Sequence, residues 1–169
     1  VLFRSIPEHS EIFERWRSQS AAARAGARDL REFPYGESSA ETLDFFRAGR
    51  DVPLHVFIHG GYWQAMDKRD FSFLAPPWLD AGISVAVLNY GLCPSVTLDT
   101  IVAQVRRALL WLQGAAGMLG FDAGRIQMSG HSAGGQLVAM LVAGGGISGE
   151  PGRVCIPLQS AIARSEEHT

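Results

Sequence analysis

Gly130-His131-Ser132-Ala133-Gly134 is the stretch that decides the fold, because it fits the G-x-S-x-G pattern of a sharp strand-to-helix turn. The apolar run Arg125–Met128 before it predicts a strand, and the apolar residues after it predict a helix over 133–143. In such a turn the glycines let strand and helix approach each other, and the strained backbone exposes the serine hydroxyl. We therefore predict Ser132 as a nucleophile, with the Ala133 N–H facing a developing oxyanion. The alternative is a glycine-rich turn that merely starts a helix.

A second element, His59-Gly60-Gly61-Tyr62-Trp63, directly follows the apolar run Pro53–Ile58. Two glycines after a buried strand leave backbone N–H groups free to face a cavity, as an oxyanion hole requires. We expect Gly61 and Tyr62 to supply such donors. His59 either orients this loop by hydrogen bonding or is a structural histidine. Tyr62 and Trp63 either line a substrate pocket or pack into the core.

Alternating strands and helices organise the rest of the chain. Ile83–Leu88 and Val154–Leu158 are further compact apolar runs, and 98–112 has helical spacing with Thr97 as N-cap and Gly114 just past its end. This order predicts a parallel sheet with right-handed crossovers. Four further segments are assigned as follows: amphipathic helices over 7–32, a strand over 41–47, a solvated helix start over 67–70, and a helix stop at Gly144.

Composition sets limits on the class of protein. The chain has 169 residues, 47% of them hydrophobic and 19% charged, which is typical of a globular domain. A formal net charge of −2 gives nucleic-acid binding no support. The longest apolar run, Leu137–Ala143, is far shorter than the roughly 18 residues of a membrane span. Cys93 and Cys155 form no metal-binding spacing, so we expect no metal. No signal peptide is visible, and by default we expect a cytoplasmic location.

The two ends of the chain look artificial. Val1–Ser5 and the start of Arg164–Thr169 can be back-translated as opposite strands of one DNA sequence, which resembles a sequencing adapter. Such segments are excluded from fold reasoning. We therefore expect residues 6–163 to be the N-terminal part of a single domain, with tails at 1–5 and 164–169 and with the C-terminal part of the domain missing.

His-Gly-Gly-Tyr-Trp-Gln (59–64) paired with Gly-His-Ser-Ala-Gly-Gly (130–135) resembles the kynurenine formamidase (arylformamidase) group of α/β-hydrolases. The segments around Thr42–Phe46, Phe71–Ala75 and Asn89–Pro94 agree with it, whereas Gln136 replaces a frequent histidine. The resemblance implies an α/β-hydrolase fold with a mostly parallel, doubly wound sheet. It also implies hydrolysis of N-formylkynurenine to kynurenine and formate through an acyl-serine, without a cofactor.

The remaining members of the catalytic triad are not evident. In α/β-hydrolases an acid and then a histidine follow the serine. After Ser132 the chain offers Glu150, Glu166, Glu167 and His168, of which three lie in the adapter-like tail. His131 is the variable residue of the turn and is no general base by adjacency alone. We therefore expect the 169-residue chain to be inactive.

Two other functions remain open at this stage. One is a carboxylesterase that acts on small acyl esters, and the other is a non-catalytic binding protein that kept the hydrolase scaffold. The expected partner is a small-molecule substrate, with neither nucleic acid nor membrane. The sequence leaves a homo-oligomer open.

Overall fold

The computed structural model describes residues 9–143 and 161–164. Helices and strands alternate over this part of the chain, as the sequence predicts. In chain order the elements are α1 (His9–Gly26), β1 (Leu30–Pro34), β2 (Thr42–Phe46), β3 (Val52–Ile58), a 3-10 helix (Lys68–Leu74), α2 (Ala75–Asp80), β4 (Ser84–Leu88), α3 (Leu98–Leu119), β5 (Phe121–His131), α4 (Ala133–Ala143) and β6 (Ala161–Arg164).

Six strands form one mixed sheet in the order β1-β2-β4-β3-β5-β6. The pairs β1·β2 and β2·β4 are antiparallel, whereas β4·β3, β3·β5 and β5·β6 are parallel. From β3 the chain crosses to β4 on one side and then returns past β3 to β5 on the other. Such a reversal opens a crevice at the carboxyl ends of β3 and β5, and open α/β sheets bind ligands in such crevices.

Apolar layers cover both faces of the sheet. Leu54, Val56 and Ile58 of β3 point into the layer formed with α3 and α4, whereas Phe57 points into a second layer with the 3-10 helix and α2. Every residue of β4 is buried. A strand covered on both faces has no polar side, which is why the central strands are continuous apolar runs in the sequence.

Helix α3 begins as predicted but ends later. The Thr97 side chain accepts a hydrogen bond from the N–H of Thr100 as N-cap, and the helix ends at Gly120, where φ is +80°. The prediction of an end at Gly114 is wrong. A Cβ atom on Gly114 would have nothing within 4 Å, so this glycine lies on the exposed side and the buried side continues to Leu119. Among the described residues, no helix is both long enough and apolar enough to cross a membrane.

The amino-terminal region is one helix and one strand, not helix throughout 7–32. Helix α1 ends at Gly26, and Leu30–Pro34 pairs with β2. Leu30 and Phe33 contact different apolar layers, which is the alternation of a strand. At the other end, β5 is longer than predicted. The predicted strand Val154–Leu158 and the stop at Gly144 lie outside the described residues, and β6 includes Arg164 from the segment predicted as a tail.

The charged cluster at 67–70 is a helix start, but it is not solvated as predicted. Lys68 is only 2% exposed, and its Nζ lies 3.0 Å from Asp44 Oδ1 and 2.5 Å from Glu32 Oε2. Arg24 donates to the other oxygen of Asp44. Burial of Lys68 is tolerated because it is paired with carboxylates on β1 and β2, which no local pattern in the sequence reveals.

Stability should fall in mild acid because of His55, a buried residue of β3. Its ring stacks on Trp78 at 4.1 Å, and Nε2 lies 2.9 Å from Ser129 Oγ. Burial lowers the pKa of His55 from 6.5 to about 4. The unfolded chain therefore binds a proton between these pH values that the folded chain does not. The contribution is fully present above about pH 6.5 and is lost toward pH 4, by at most about 3 kcal/mol.

Urea unfolding at several pH values checks this expectation. His55→Leu should flatten the dependence of unfolding free energy on pH between 4 and 6.5. The matched control Ser129→Ala keeps the buried imidazole and should keep the slope. An unchanged slope in His55→Leu would show that another group titrates.

Candidate active site

The turn around Ser132 has the strained geometry that the motif predicts. Ser132 has φ +53°, a value that side-chain-bearing residues rarely adopt, and it is exposed between β5 and α4. A Cβ atom on Gly130 would lie 2.3 Å from the Gly134 carbonyl oxygen, and one on Gly134 would lie 2.1 Å from the Ile58 carbonyl oxygen. Both glycines are therefore required by close backbone contact.

The loop that follows β3 lies directly against this turn. A Cβ atom on Gly60 would lie 2.6 Å from the His131 carbonyl oxygen and 3.2 Å from Ser132 Cβ. Gly61 has φ +107°, and its carbonyl oxygen accepts hydrogen bonds from Gln64 and Ala65, both at 3.0 Å. The two segments singled out from the sequence, although distant along the chain, thus meet in space.

Three backbone N–H groups are candidates for an oxyanion hole. Within the part of the chain that the structure describes, the loop's backbone hydrogen bonds do not use the N–H of Gly61 or Tyr62. Ala133 is the first residue of α4, where an N–H has no partner within the helix. Such donors at a helix N-terminus can stabilise a negative charge that develops beside Ser132.

Tyr62 and Trp63 diverge from the tip of the loop. Both have φ +57°, and their ring centroids are 5.4 Å apart. Tyr62 is 57% exposed, whereas Trp63 packs against the core, and its carbonyl oxygen accepts a hydrogen bond from the Cys93 N–H at 2.7 Å. Tyr62 is thus available for contact with a substrate, and Trp63 anchors the loop.

His59 is completely buried at the start of the loop. Its Nδ1 lies 2.7 Å from the Gly60 carbonyl oxygen, its Nε2 lies 3.1 Å from Asn89 Oδ1, and its ring stacks on Tyr90 at 4.3 Å. Burial lowers the pKa of His59, although the contacts with Gly60 and Asn89 oppose this effect. Because burial favours the neutral ring, which has a single N–H, His59 donates either to the Gly60 carbonyl oxygen or to Asn89 Oδ1, and not to both. The ring is thus a buried structural group whose tautomer decides which of these partners it binds.

His131 connects the turn to α1. The Trp16 ring meets the His131 ring edge-on at 5.6 Å, and Phe71 lies 6.1 Å from the same ring. In the sequence Trp16 is one apolar residue of the segment 7–32 predicted as amphipathic helix. Its contact with the residue before Ser132 depends on how α1 folds back over the sheet, and no local signal could have indicated it.

Comparison with known proteins gives the family. Residues 46–150 match the protein family BD-FAE, and this range is more than half of the 169 residues. The chain belongs to the BD-FAE family. The predicted resemblance to kynurenine formamidases is also confirmed, and the α/β-hydrolase fold is that of the solved structures it resembles.

Three similar proteins illustrate the range of this BD-FAE chain's relatives. Kynurenine formamidase of Salmo salar is 36% identical over 124 residues, which cover 71% of this chain and 40% of that protein. Esterase LipQ of Mycobacterium tuberculosis is 29% identical over 116 residues, or 64% of this chain and 28% of the esterase. The structure of a candidate thioesterase from Silicibacter sp. TM1040 has a TM-score of 0.72 and 37% identity, and the match covers 80% of this chain and 51% of that one. The chain therefore spans about 40% of the length of the kynurenine formamidase it matches.

The two buried histidines of this BD-FAE chain have partners other than Ser132. The rings of His55 and His59 are buried and bonded to Ser129 and Asn89 instead of Ser132. Residues 9–143 and 161–164 hold no cluster of three or more His, Cys, Asp or Glu side chains that could bind a metal ion. The residues considered from the sequence as acid or base lie outside the described residues: Glu150, Glu166, Glu167 and His168.

Two glycine-to-alanine substitutions should distinguish a glycine that close packing requires from one that only weakens its helix. Gly134→Ala places a methyl group against the Ile58 carbonyl oxygen and should cost roughly 1–3 kcal/mol or more in unfolding free energy. The matched control Gly114→Ala, on the open side of α3, should stabilise by roughly 0.5–1 kcal/mol. Urea denaturation of both variants measures these changes. A Gly134→Ala protein as stable as wild type would contradict the close contact.

Proposed function

We propose that the protein to which this BD-FAE chain belongs is a serine hydrolase that cleaves an aryl formamide, with N-formylkynurenine as the substrate. The observation that carries the proposal is the strained, exposed Ser132 beside a loop whose Gly61 and Tyr62 N–H groups donate to no backbone acceptor among the described residues. Similarity to kynurenine formamidases supports the choice of substrate.

The proposed reaction proceeds in two steps through a formyl-serine. Ser132 Oγ forms a bond to the formyl carbon while a general base removes its proton, and the N–H groups of Gly61, Tyr62 and Ala133 stabilise the oxyanion. The C–N bond then breaks, and the base returns the proton to the leaving aniline nitrogen. Water attacks the formyl-serine, releases formate and restores the hydroxyl.

The general base and its carboxylate partner are proposed to come from residues outside those the structure describes. Without them, Ser132 would have no acceptor for its proton, and only a residual rate from the oxyanion hole and binding would remain. For this reason we propose that the 169-residue chain is inactive by itself.

A carboxylesterase is the second candidate. It is favoured by the similarity to esterase LipQ and to the candidate thioesterase, because the same serine and oxyanion donors serve ester and amide carbonyls alike. The exposed Tyr62 ring favours the formamide, since it offers an aromatic surface to an aryl leaving group.

Removing the nucleophile tests the proposed class of reaction. The test uses the longer protein to which residues 6–163 are proposed to belong. In that protein, Ser132→Ala should lower kcat for N-formylkynurenine by a factor of about 10⁴ or more. Release of kynurenine and formate measures the loss. The control Ser95→Ala changes an exposed hydroxyl and should leave the rate unchanged. Full activity in Ser132→Ala would contradict the proposed role of Ser132 as nucleophile.

Competing substrates decide between formamidase and esterase. We expect kcat/KM for N-formylkynurenine to exceed that for p-nitrophenyl acetate, with Tyr62→Ala raising KM for the formamide more than for the small ester. The reverse preference would assign the protein to the esterases. Ser132-dependent ester hydrolysis by the 169-residue chain alone would contradict its proposed inactivity.

A further inference from the structure

Asn89, the residue immediately after β4, has a rigidly held backbone. Its N–H donates to the Thr42 carbonyl oxygen at 2.9 Å, and its own carbonyl oxygen accepts a hydrogen bond from the Tyr35 hydroxyl. Tyr35 is 4% exposed, so this bond is shielded from water. The Asn89 side chain therefore starts from a fixed point at the carboxyl edge of the sheet.

The Asn89 side chain joins the two ends of the loop 59–67. At the beginning of the loop, His59 Nε2 lies 3.1 Å from Asn89 Oδ1 and donates to it in the tautomer that has its proton on Nε2. At its end, the Lys68 N–H donates to the same oxygen at 3.2 Å, and Asn89 Nδ2 donates to Asp67 Oδ2 at 3.1 Å. These partners fix the orientation of the Asn89 amide. Its Oδ1 must face the Lys68 N–H, which can only donate, and its Nδ2 must face the Asp67 carboxylate, which can only accept.

Residues on either side reinforce this connection. The Tyr90 hydroxyl donates to the His59 carbonyl oxygen at 2.8 Å, and the Cys93 N–H donates to the Trp63 carbonyl oxygen at 2.7 Å. The segment after β4 thus holds the start, the middle and the end of the loop. The loop needs such support because three of its non-glycine residues have positive φ, which costs on the order of 1 kcal/mol or more per residue; they are Tyr62, Trp63 and Met66.

We propose that Asn89 is a positioning residue of the oxyanion hole: its side-chain amide holds both ends of the loop 59–67 so that the Gly61 and Tyr62 N–H groups face Ser132. Asn89 acts through the loop and does not touch the substrate. The inference rests on the proposed serine hydrolase function for its kinetic consequence, but the connection itself is a property of the fold.

A reversal of one hydrogen bond tests the connection. In Asn89→Asp, a carboxylate oxygen replaces Nδ2 and faces the Asp67 carboxylate, so this bond is lost. In Asp67→Asn/Asn89→Asp, the new amide donates to the new carboxylate, and the bond returns with its direction reversed. Asp67→Asn keeps one side-chain oxygen, which can still accept from the Arg69 N–H as Oδ1 does at 2.9 Å, so the cap of the 3-10 helix is kept.

Amide hydrogen exchange of the 169-residue chain is the first measurement, since it needs no activity. Asn89→Asp and Asn89→Leu should speed exchange at the Lys68 and Ala65 N–H groups about tenfold, and the double variant should restore wild-type exchange. Val105→Ala, a buried change on α3, is the control for a general loss of stability. It should speed exchange at Lys68 and Ala65 no more than it speeds exchange at the core amides. Exchange unchanged in Asn89→Leu, or no recovery in the double variant, overturns the inference.

The second measurement is the steady-state kinetics of the longer protein to which residues 6–163 are proposed to belong. Asn89→Asp should lower kcat for N-formylkynurenine about 10- to 100-fold with little change in KM, and the double variant should recover most of the loss. Equal kcat in wild type and Asn89→Asp overturns the positioning role. Absence of Ser132-dependent turnover in wild type overturns the proposed function instead, and the exchange experiment still decides whether Asn89 holds the loop.

Discussion

The rest of the site depends on one constraint, which is the close backbone contact between the start of α4 and the end of β3. Gly134 approaches the carbonyl oxygen of Ile58 so closely that a Cβ atom would lie 2.1 Å from it. This contact places the end of β3 beside the end of β5. As a result, the loop after β3 and the turn after β5 form one site, and Gly60 lies against Ser132. The proposed oxyanion hole depends on donors placed in advance, so the proposed reaction would require this packing.

Charge burial ties the amino-terminal elements to the same site. Lys68 follows the loop 59–67 and is held by Asp44 on β2 and Glu32 on β1. Removing one partner of such a buried pair leaves an uncompensated charge and costs far more than the pair contributes by itself. Helix α1 reaches the turn by a second route, through the contact of Trp16 with His131. The antiparallel half of the sheet therefore helps to position the parallel half.

Local patterns predict the structure reliably wherever burial alone determines it. Continuous apolar runs locate β3 and β4 within a residue or two, and the Thr97 cap locates the start of α3. Such patterns fail where a partner distant in sequence decides. Leu30, Arg31 and Glu32 fall in the segment 7–32 predicted as helix and yet belong to a strand that pairs with β2. Lys68 is buried because it meets carboxylates on two strands that lie far from it along the chain.

By itself, the sequence determined the class of fold and identified two of the segments that form the site. Glycines flanking a serine and a paired-glycine loop are dictated by backbone geometry, and such requirements are visible in single short stretches. Only the tertiary structure decided how those segments are held. His59 and Asp67 lie at the two ends of the loop after β3, whereas Asn89 follows β4. Asn89 reaches both ends of the loop because the parallel strands β3 and β4 bring their carboxyl ends to one edge of the sheet. Directional bonds between distant residues leave no periodic pattern in the sequence, whereas burial and backbone strain do.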